Sequence, residues 1–230
     1  MEKNNYDKAI EDYSQAIQIN PKLAEAHNSR GIAYEKKGGY DKAIEDYSQA
    51  IQINSKYYDA YNNRGMAYYD KGEYEKAVAD YTQVIRINTK NNWIYNNRGM
   101  AYHAKGEYDK AIDDYNTAIQ INPKYVWAYN NISRLLATCP DAKYRNGTKA
   151  IEFAQKATGL DPNGCDYWDT LAAAYAESGK FEDAEKTQEK AIEMLNEKDK
   201  DKKISEYTEH LNFYKAKKPW HEKPKSGNQK

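Results

Sequence analysis

The stretch DKAIEDYSQAIQIN stands at residues 7–20 and again, unchanged, at residues 41–54, while YNNRGMAY stands at residues 61–68 and 95–102. Both pairs are offset by 34 residues. A fixed period of this length means one supersecondary unit copied and stacked, each copy burying the apolar face of its neighbour, rather than a chain folded around one unique active site. The register holds to about Glu193 and predicts a continuous array without an interior linker. Function is then to be sought on a surface that the copies share.

Within residues 58–91, Tyr61, Gly65 and Tyr68 share one helical face, and Tyr74, Ala77, Val78, Tyr81, Val84 and Ile85 share another. The unit reads as a helix hairpin. Gly72 stops the first helix by taking the left-handed conformation, and Glu73 and Glu75 open the second, where they complement the helix dipole. The same punctuation recurs at Gly38 and Asp41 and at Gly106, Glu107 and Asp109, and Pro21, Pro123 and Pro162 close second helices. Gly65 recurs as Gly31 and Gly99 in mid-helix, where glycine costs about 1 kcal/mol relative to alanine. A close helix approach has to compensate, with Ala43, Ala77 and Ala111 opposite and Tyr47, Tyr81 and Tyr115 filling the space around each crossing.

The period, the Gly-x-x-Tyr pair, the small residue early in the second helix and the terminal Asn-Pro together resemble the tetratricopeptide repeat. The resemblance implies an all-α fold, a right-handed superhelical solenoid of antiparallel helix hairpins with a C-terminal capping helix. Full repeats are expected at residues 24–57, 58–91, 92–125, 126–164 and 165–198, preceded by a half repeat (second helix only) at 1–23. A capping helix at 199–216 and a flexible tail at 217–230 complete the chain. The fourth repeat carries a five-residue insertion within CPDAKYRNG, residues 139–147, and has Ser133 and Leu136 in place of the usual glycine and tyrosine. The fifth regains the pattern through Trp168, Leu171, Tyr175, Gly179, Ala184 and Ala191. LLATCPDAKYRNG and LNFYKAKKPW are similar to a subgroup of bacterial tetratricopeptide proteins, so a bacterial source is expected.

Composition narrows the partners. Thirty-five lysines and arginines balance 35 aspartates and glutamates, which gives no electrostatic reason for nucleic acid or an anionic membrane as partner. Cys139 and Cys165 stand far from any CxxC or histidine-rich string and read as reduced thiols, with no metal site. The first 25 residues lack the apolar core of a secretory signal, and no apolar run is long enough to span a bilayer. The expectation is a soluble chain with no direct membrane insertion; its compartment does not follow from the sequence, the cytoplasm being favoured. His27, His103, His210 and His221 are scattered, and neither a glycine-rich phosphate loop nor a nucleophile elbow occurs, which predicts a non-enzyme with no catalytic residues and no cofactor.

A charge pair travels with the repeat: Arg30, Arg64 and Arg98 in first helices, and Asp46, Asp80 and Asp114 sixteen residues later. In the fourth and fifth repeats the arginine becomes Ile132 and Leu171, and the aspartate becomes Phe153 and Thr187. Joint loss predicts a partly buried ion pair, either within one repeat or with the preceding repeat's aspartate, as Arg30 with Asp12. Its role is stacking, and desolvation offsets much of the attraction.

The resemblance places first helices along a concave surface. They carry Asn62-Asn63, Asn96-Asn97 and Asn130-Asn131, one pair per repeat, and an asparagine amide can pair with both sides of a peptide group without reading its side chain. Asn63, Asn97 and Asn131 match the groove asparagines that bind peptide backbones in some members of the family. Met66, Tyr69, Trp93, Met100, His103, Trp127 and Arg134 complete the candidate peptide-binding set with apolar, stacking and cationic contacts. The bland reading of the same residues is a solvated face, inter-repeat hydrogen bonds and tryptophans packed on a neighbouring repeat. The family's two-carboxylate clamp is not matched, because its lysine and arginine positions hold Asn28, Ile32, Trp93 and Asn97. The leading expectation is a scaffold binding an extended segment of a protein or peptide partner.

The alternative is self-assembly. Residues 1–6 read as an inter-helix turn, so the helix before residues 7–19 is missing and Ile10, Tyr13 and Ile17 lack part of their cover, which predicts a homo-oligomer through this end. At the other end Ile204, Tyr207, Leu211 and Tyr214 form the sparse stripe of a capping helix. Trp220 either folds back on that cap or stands as an exposed binding element.

Overall fold

The helix breaks foreseen at the glycines set the element order. In the computed structural model, which describes residues 2–223 except the side chains of residues 2–4, 198 and 199, regular structure among the described residues is entirely helical. The helices are α1 Glu2–Ile19, α2 Ala24–Lys36, α3 Tyr40–Ile53, α4 Tyr58–Asp70, α5 Tyr74–Ile87 and α6 Asn92–Lys105 in one compact unit, Met1–Lys105. The second unit, Gly106–Lys230, holds α7 Tyr108–Ile121, α8 Val126–Thr138, α9 Gly147–Leu160, α10 Cys165–Glu177, α11 Phe181–Glu193 and α12 Glu197–Lys215, with a 3₁₀ turn at Ala142–Tyr144. No described helix is long and apolar enough to cross a membrane.

Two kinds of turn alternate. After α4, Gly72 adopts φ +77°, and the amides of Gly72 and Glu73 donate to the Tyr69 and Tyr68 carbonyls at 2.9 and 2.8 Å, satisfying the helix end. After α5, the Asn88 side chain accepts from the Lys90 amide at 3.0 Å, and Asn20, Asn54, Asn122 and Asp161 repeat that side-chain turn.

In the first unit α2 packs on α1 and α3, α4 on α3 and α5, and α6 on α5. The close approach expected at the glycines is an approach of tyrosine to helix backbone. A Cβ added to Gly31 would lie 2.6 Å from Tyr47 Cε1. Tyr47 and Tyr81 are fully buried, and the Tyr47 hydroxyl donates to Glu35 Oε2 at 2.9 Å.

The ion pair forms within one repeat. Arg64 Nε and Nη2 donate to Asp80 Oδ2 and Oδ1 at 2.8 and 2.7 Å, and Arg30 grips Asp46 with the same two distances. The preceding repeat supplies a hydroxyl instead of a carboxylate: Ser14 Oγ accepts from Arg30, Ser48 Oγ from Arg64 and Thr82 Oγ1 from Arg98. Burial pushes the Asp80 carboxyl above the usual carboxylate range despite the guanidinium, which is the desolvation expected to limit the pair's worth.

In the second unit α8 packs on α7, α9 and α10, α10 on α9 and α11, and α12 on α11 and α10. Here the glycine–tyrosine crossing is rebuilt. Ser133 and Ala154 occupy the glycine and tyrosine registers of the fourth repeat, and Ala172 and Gln188 those of the fifth, so bulk moves from one helix toward the other. Both added groups donate: Ser133 Oγ to the Ala150 carbonyl at 2.8 Å, and Gln188 Nε2 to Asp169 Oδ1 at 2.8 Å. The insertion is pinned by Arg145, which donates to Glu177 Oε1 at 3.0 Å and to the Cys139 carbonyl at 2.8 Å.

Two expectations are corrected. Residues 2–6 are not a turn but the first part of α1, because Asn4 and Asn5 stand at the register of Gly38 and Gly39 and no left-handed glycine interrupts the helix. The tail expected to be flexible from residue 217 is held through residue 222: Trp220 packs against the Tyr214 core of α12, and the Glu222 amide donates to the Thr138 carbonyl at 2.8 Å. Residues 224–230 lie outside the described residues.

Candidate functional site

Adjacent residues on a helix point about 100° apart, and that rotation divides the asparagine pairs. Asn62 and Asn96 turn into the first unit and are buried, whereas Asn63 and Asn97 are half-buried at its surface. The buried partners address methionine: Asn62 Nδ2 lies 3.6 Å from Met66 Sδ, and Asn96 Nδ2 lies 3.6 Å from Met100 Sδ. Asn63 is engaged between repeats, its Nδ2 donating to Asn28 Oδ1 at 3.1 Å while its Oδ1 accepts from Asn62. That matches the inter-repeat alternative for Asn63.

The methionines line a cavity of about 170 Å³ together with Tyr69, Asp70, Tyr81 and Asn97. Its wall is polarizable thioether and aromatic edge, with one amide and one carboxylate, a set suited to an apolar side chain beside a peptide group. Burial pushes the Asp70 carboxyl above its ordinary value, with Lys36 pulling the other way. Four of the residues singled out in the sequence, Met66, Tyr69, Asn97 and Met100, therefore meet in one place. Trp93 instead packs on the core of Tyr81, Val84 and Ile94, and His103 lies half-buried outside the cavity lining.

In the second unit Trp127 is 48% exposed and meets the Tyr167 ring edge-on at 5.7 Å. Asn130 is buried and Asn131 half-buried, repeating the division of the first unit. Arg134 is engaged by two carboxylates, Glu222 at 3.1 Å and Glu206 at 3.8 Å. At α1, Ile10, Tyr13 and Ile17 are half-buried, although the equivalent Tyr47 and Tyr81 are 0% and 2% exposed.

Sequence reasoning missed Asp70 and Tyr81 as cavity residues and Glu222 as the partner of Arg134. One signal was available: Arg134 falls in the column Ile32, Met66, Met100, Arg134, Ala173, where it is the sole charge. Asp169, in the column of Asn28, Asn62, Asn96 and Asn130, likewise departs from its fellows and bonds His210 Nδ1 at 2.7 Å.

Models of the tetratricopeptide repeat match residues 1–38, 36–72 and 65–106, then 93–125, then 166–194. No curated protein matches the chain. Among solved structures it is similar to YrrB, described as a TPR protein with an unusual peptide-binding site, at 21% identity over 80% of this chain and 92% of that one, with a TM-score of 0.61. It is similar to MamA at 23% identity over 79% and 94%, TM-score 0.63, and to the yeast Tom70 at 17% over 90% and 42%, TM-score 0.66. At these identities the likeness speaks for the fold. Tetratricopeptide arrays generally bind peptides through a concave groove, and their usual partners are proteins or peptides.

Proposed function

The chain belongs to the tetratricopeptide repeat family, and on that footing we propose that it is a non-catalytic interaction scaffold that takes an extended peptide segment across α4 and α6. The observation that carries the reading is the cavity of Met66, Tyr69, Asp70, Tyr81, Asn97 and Met100. An apolar ligand side chain enters between the two methionines, and the Asn97 amide pairs with the adjoining peptide group. Asn63 serves by holding α4 to α2 rather than by touching the ligand, which reduces the expected ladder to fewer direct contacts. One or two hydrogen bonds at about 1 kcal/mol each and one buried side chain correspond to weak, exchangeable binding.

The test is selection of binders from a random peptide library, followed by calorimetry. Asn97→Ala should weaken the selected peptides about fivefold and Met100→Ala by a similar factor, without change in the circular dichroism spectrum. Selected peptides that bind an Asn97→Ala/Met100→Ala variant as tightly as the wild type would move the site elsewhere.

Self-assembly is the second reading, favoured by Tyr13, the one tyrosine of its register in the first unit that is not buried. A second copy covering α1 would bury it together with Ile10 and Ile17. Light scattering at increasing concentration decides, since a monomer throughout excludes this route.

A further inference from the structure

The chain reverses at Lys217, whose φ of +54° is the left-handed conformation that side chains rarely adopt. The Lys217 and Lys218 amides donate to the Tyr214 and Phe213 carbonyls at 2.8 and 3.0 Å, closing α12 and turning the next residues back over α10 and α8. Residues 220–222 then make the contacts of a bound peptide. The Trp220 ring lies 4.3 Å from the His210 ring, centroid to centroid, and packs on the Ala172, Ala176 and Tyr214 core. The His221 ring is 2.6 Å from Glu177 Oε2. The Glu222 amide donates to the Thr138 carbonyl at the end of α8, where no helical amide is left to use it, and its carboxylate accepts from Arg134 Nε at 3.1 Å.

The receiving face departs from the first unit's pattern at the positions that meet this segment. Arg134 replaces the methionine of the first unit's cavity with a charge, and Asp169 fixes the His210 ring under the indole. Asp169, His210 and Gln188 are buried beneath the indole's contact with His210. The occupant is held by a backbone hydrogen bond, the ring contact and side-chain pairs to Glu177, Arg134 and Thr138, whose hydroxyl donates to Glu222 Oε1 at 3.3 Å.

We propose that the face formed by α8, α10 and α12 is a second peptide-recognition site, specific for an aromatic residue followed two positions later by a carboxylate, and that residues 220–222 are its intramolecular occupant. A foreign polypeptide carrying Trp-x-Glu takes the same seat by displacing the chain's own segment. A tether of a few residues gives that segment an effective concentration in the millimolar range, so the site is closed to weak ligands and open to strong ones.

The experiment uses the full chain and a fluorescein-labelled hexapeptide Lys-Pro-Trp-His-Glu-Lys, the sequence of residues 218–223, with binding read by fluorescence anisotropy. Trp220→Ala/Glu222→Ala empties the seat and should bind the probe at least about tenfold more tightly than the wild type. Adding Arg134→Leu should remove that gain, and a probe with glutamine for glutamate should bind neither protein. Glu222→Gln, which keeps the indole in place, should give a smaller gain in the same direction and decides the matter if the double variant does not fold. Asn97→Ala/Met100→Ala should leave this probe's binding unchanged, so the two sites stand or fall separately. Equal probe affinity for the wild type and the Glu222 variants overturns the proposal. So does a concentration-dependent dimer of the wild type that disappears with Trp220→Ala, since the displacing occupant is then a second copy.

Discussion

Gly65 and Tyr81 use one volume between them: a Cβ on Gly65 would stand 2.8 Å from Tyr81 Cε1 and 3.2 Å from Cζ. The ring is 2% exposed, and a Cβ at Gly65 would have to displace it. Gly65→Ala should therefore destabilise by about 1–3 kcal/mol even though alanine is the better helix former. Gly65→Ser/Tyr81→Ala, which copies the Ser133 and Ala154 arrangement, should cost at least about 1 kcal/mol less than the two single changes summed. Urea titration of the four proteins measures the coupling, and strict additivity contradicts the shared-volume account.

Asp80 leaves a charge behind when removed. Asp80→Ala strands the Arg64 guanidinium beside Ser48 in a half-buried place and should cost about 3 kcal/mol. Replacing both residues with the fourth repeat's pair, as Arg64→Ile/Asp80→Phe, should cost less than that single change. The comparison of urea midpoints is direct, and a double variant less stable than Asp80→Ala would mean the pair itself is strongly favourable.

Acid should loosen the cap before the rest of the second unit. Burial raises the Asp166 carboxyl, but Lys203 at 2.7 Å and the Tyr207 hydroxyl at 2.6 Å outweigh it and hold the group below its ordinary value of 3.8. A carboxyl that titrates lower in the folded chain than in the unfolded one contributes its full stability above the ordinary value and loses it as pH falls through the lower folded value. Intrinsic-rate-corrected hydrogen exchange in α12 should accelerate below about pH 4, and Asp166→Asn should abolish that acid-dependent step. An unchanged profile in the variant would assign the acid sensitivity to other carboxylates.

Cys139 is a probe of the insertion. Its thiol is buried at the end of α8, where burial pushes its pKa up, and Arg145 bonds its carbonyl. Ellman's reagent should label it slowly in the native chain. Arg145→Ala removes charged hydrogen bonds worth about 1.5 kcal/mol or more and should speed labelling about tenfold. An unaltered rate would mean that Pro140 and the 3₁₀ turn hold the insertion by themselves.

The helices, their glycine stops and the joint loss of the Arg and Asp registers were legible because each arises from spacing within 34 residues. The sequence left open which aspartate Arg30 meets, since Asp12 and Asp46 are equally placed by register, and the geometry of the crossing selects Asp46. The spacing puts each asparagine pair on one surface, yet a 100° step buries Asn62 and leaves Asn63 half-buried. The register predicts a turn at residues 2–6, but asparagines stand there in place of Gly38 and Gly39, so α1 runs through. The tail was misread for another reason: Arg134 and Glu222 are 88 residues apart, and a lysine-rich composition around Trp220 hides a pairing that no local pattern encodes.

Residues 7–20 and 41–54 are the same peptide placed in two settings, with Tyr13 half-buried in one and Tyr47 fully buried in the other. Side-chain chemistry and intrinsic exchange rate are matched between them residue by residue. Any difference in protection factor between the two segments is therefore a reading of neighbourhood alone, with the chain serving as its own control.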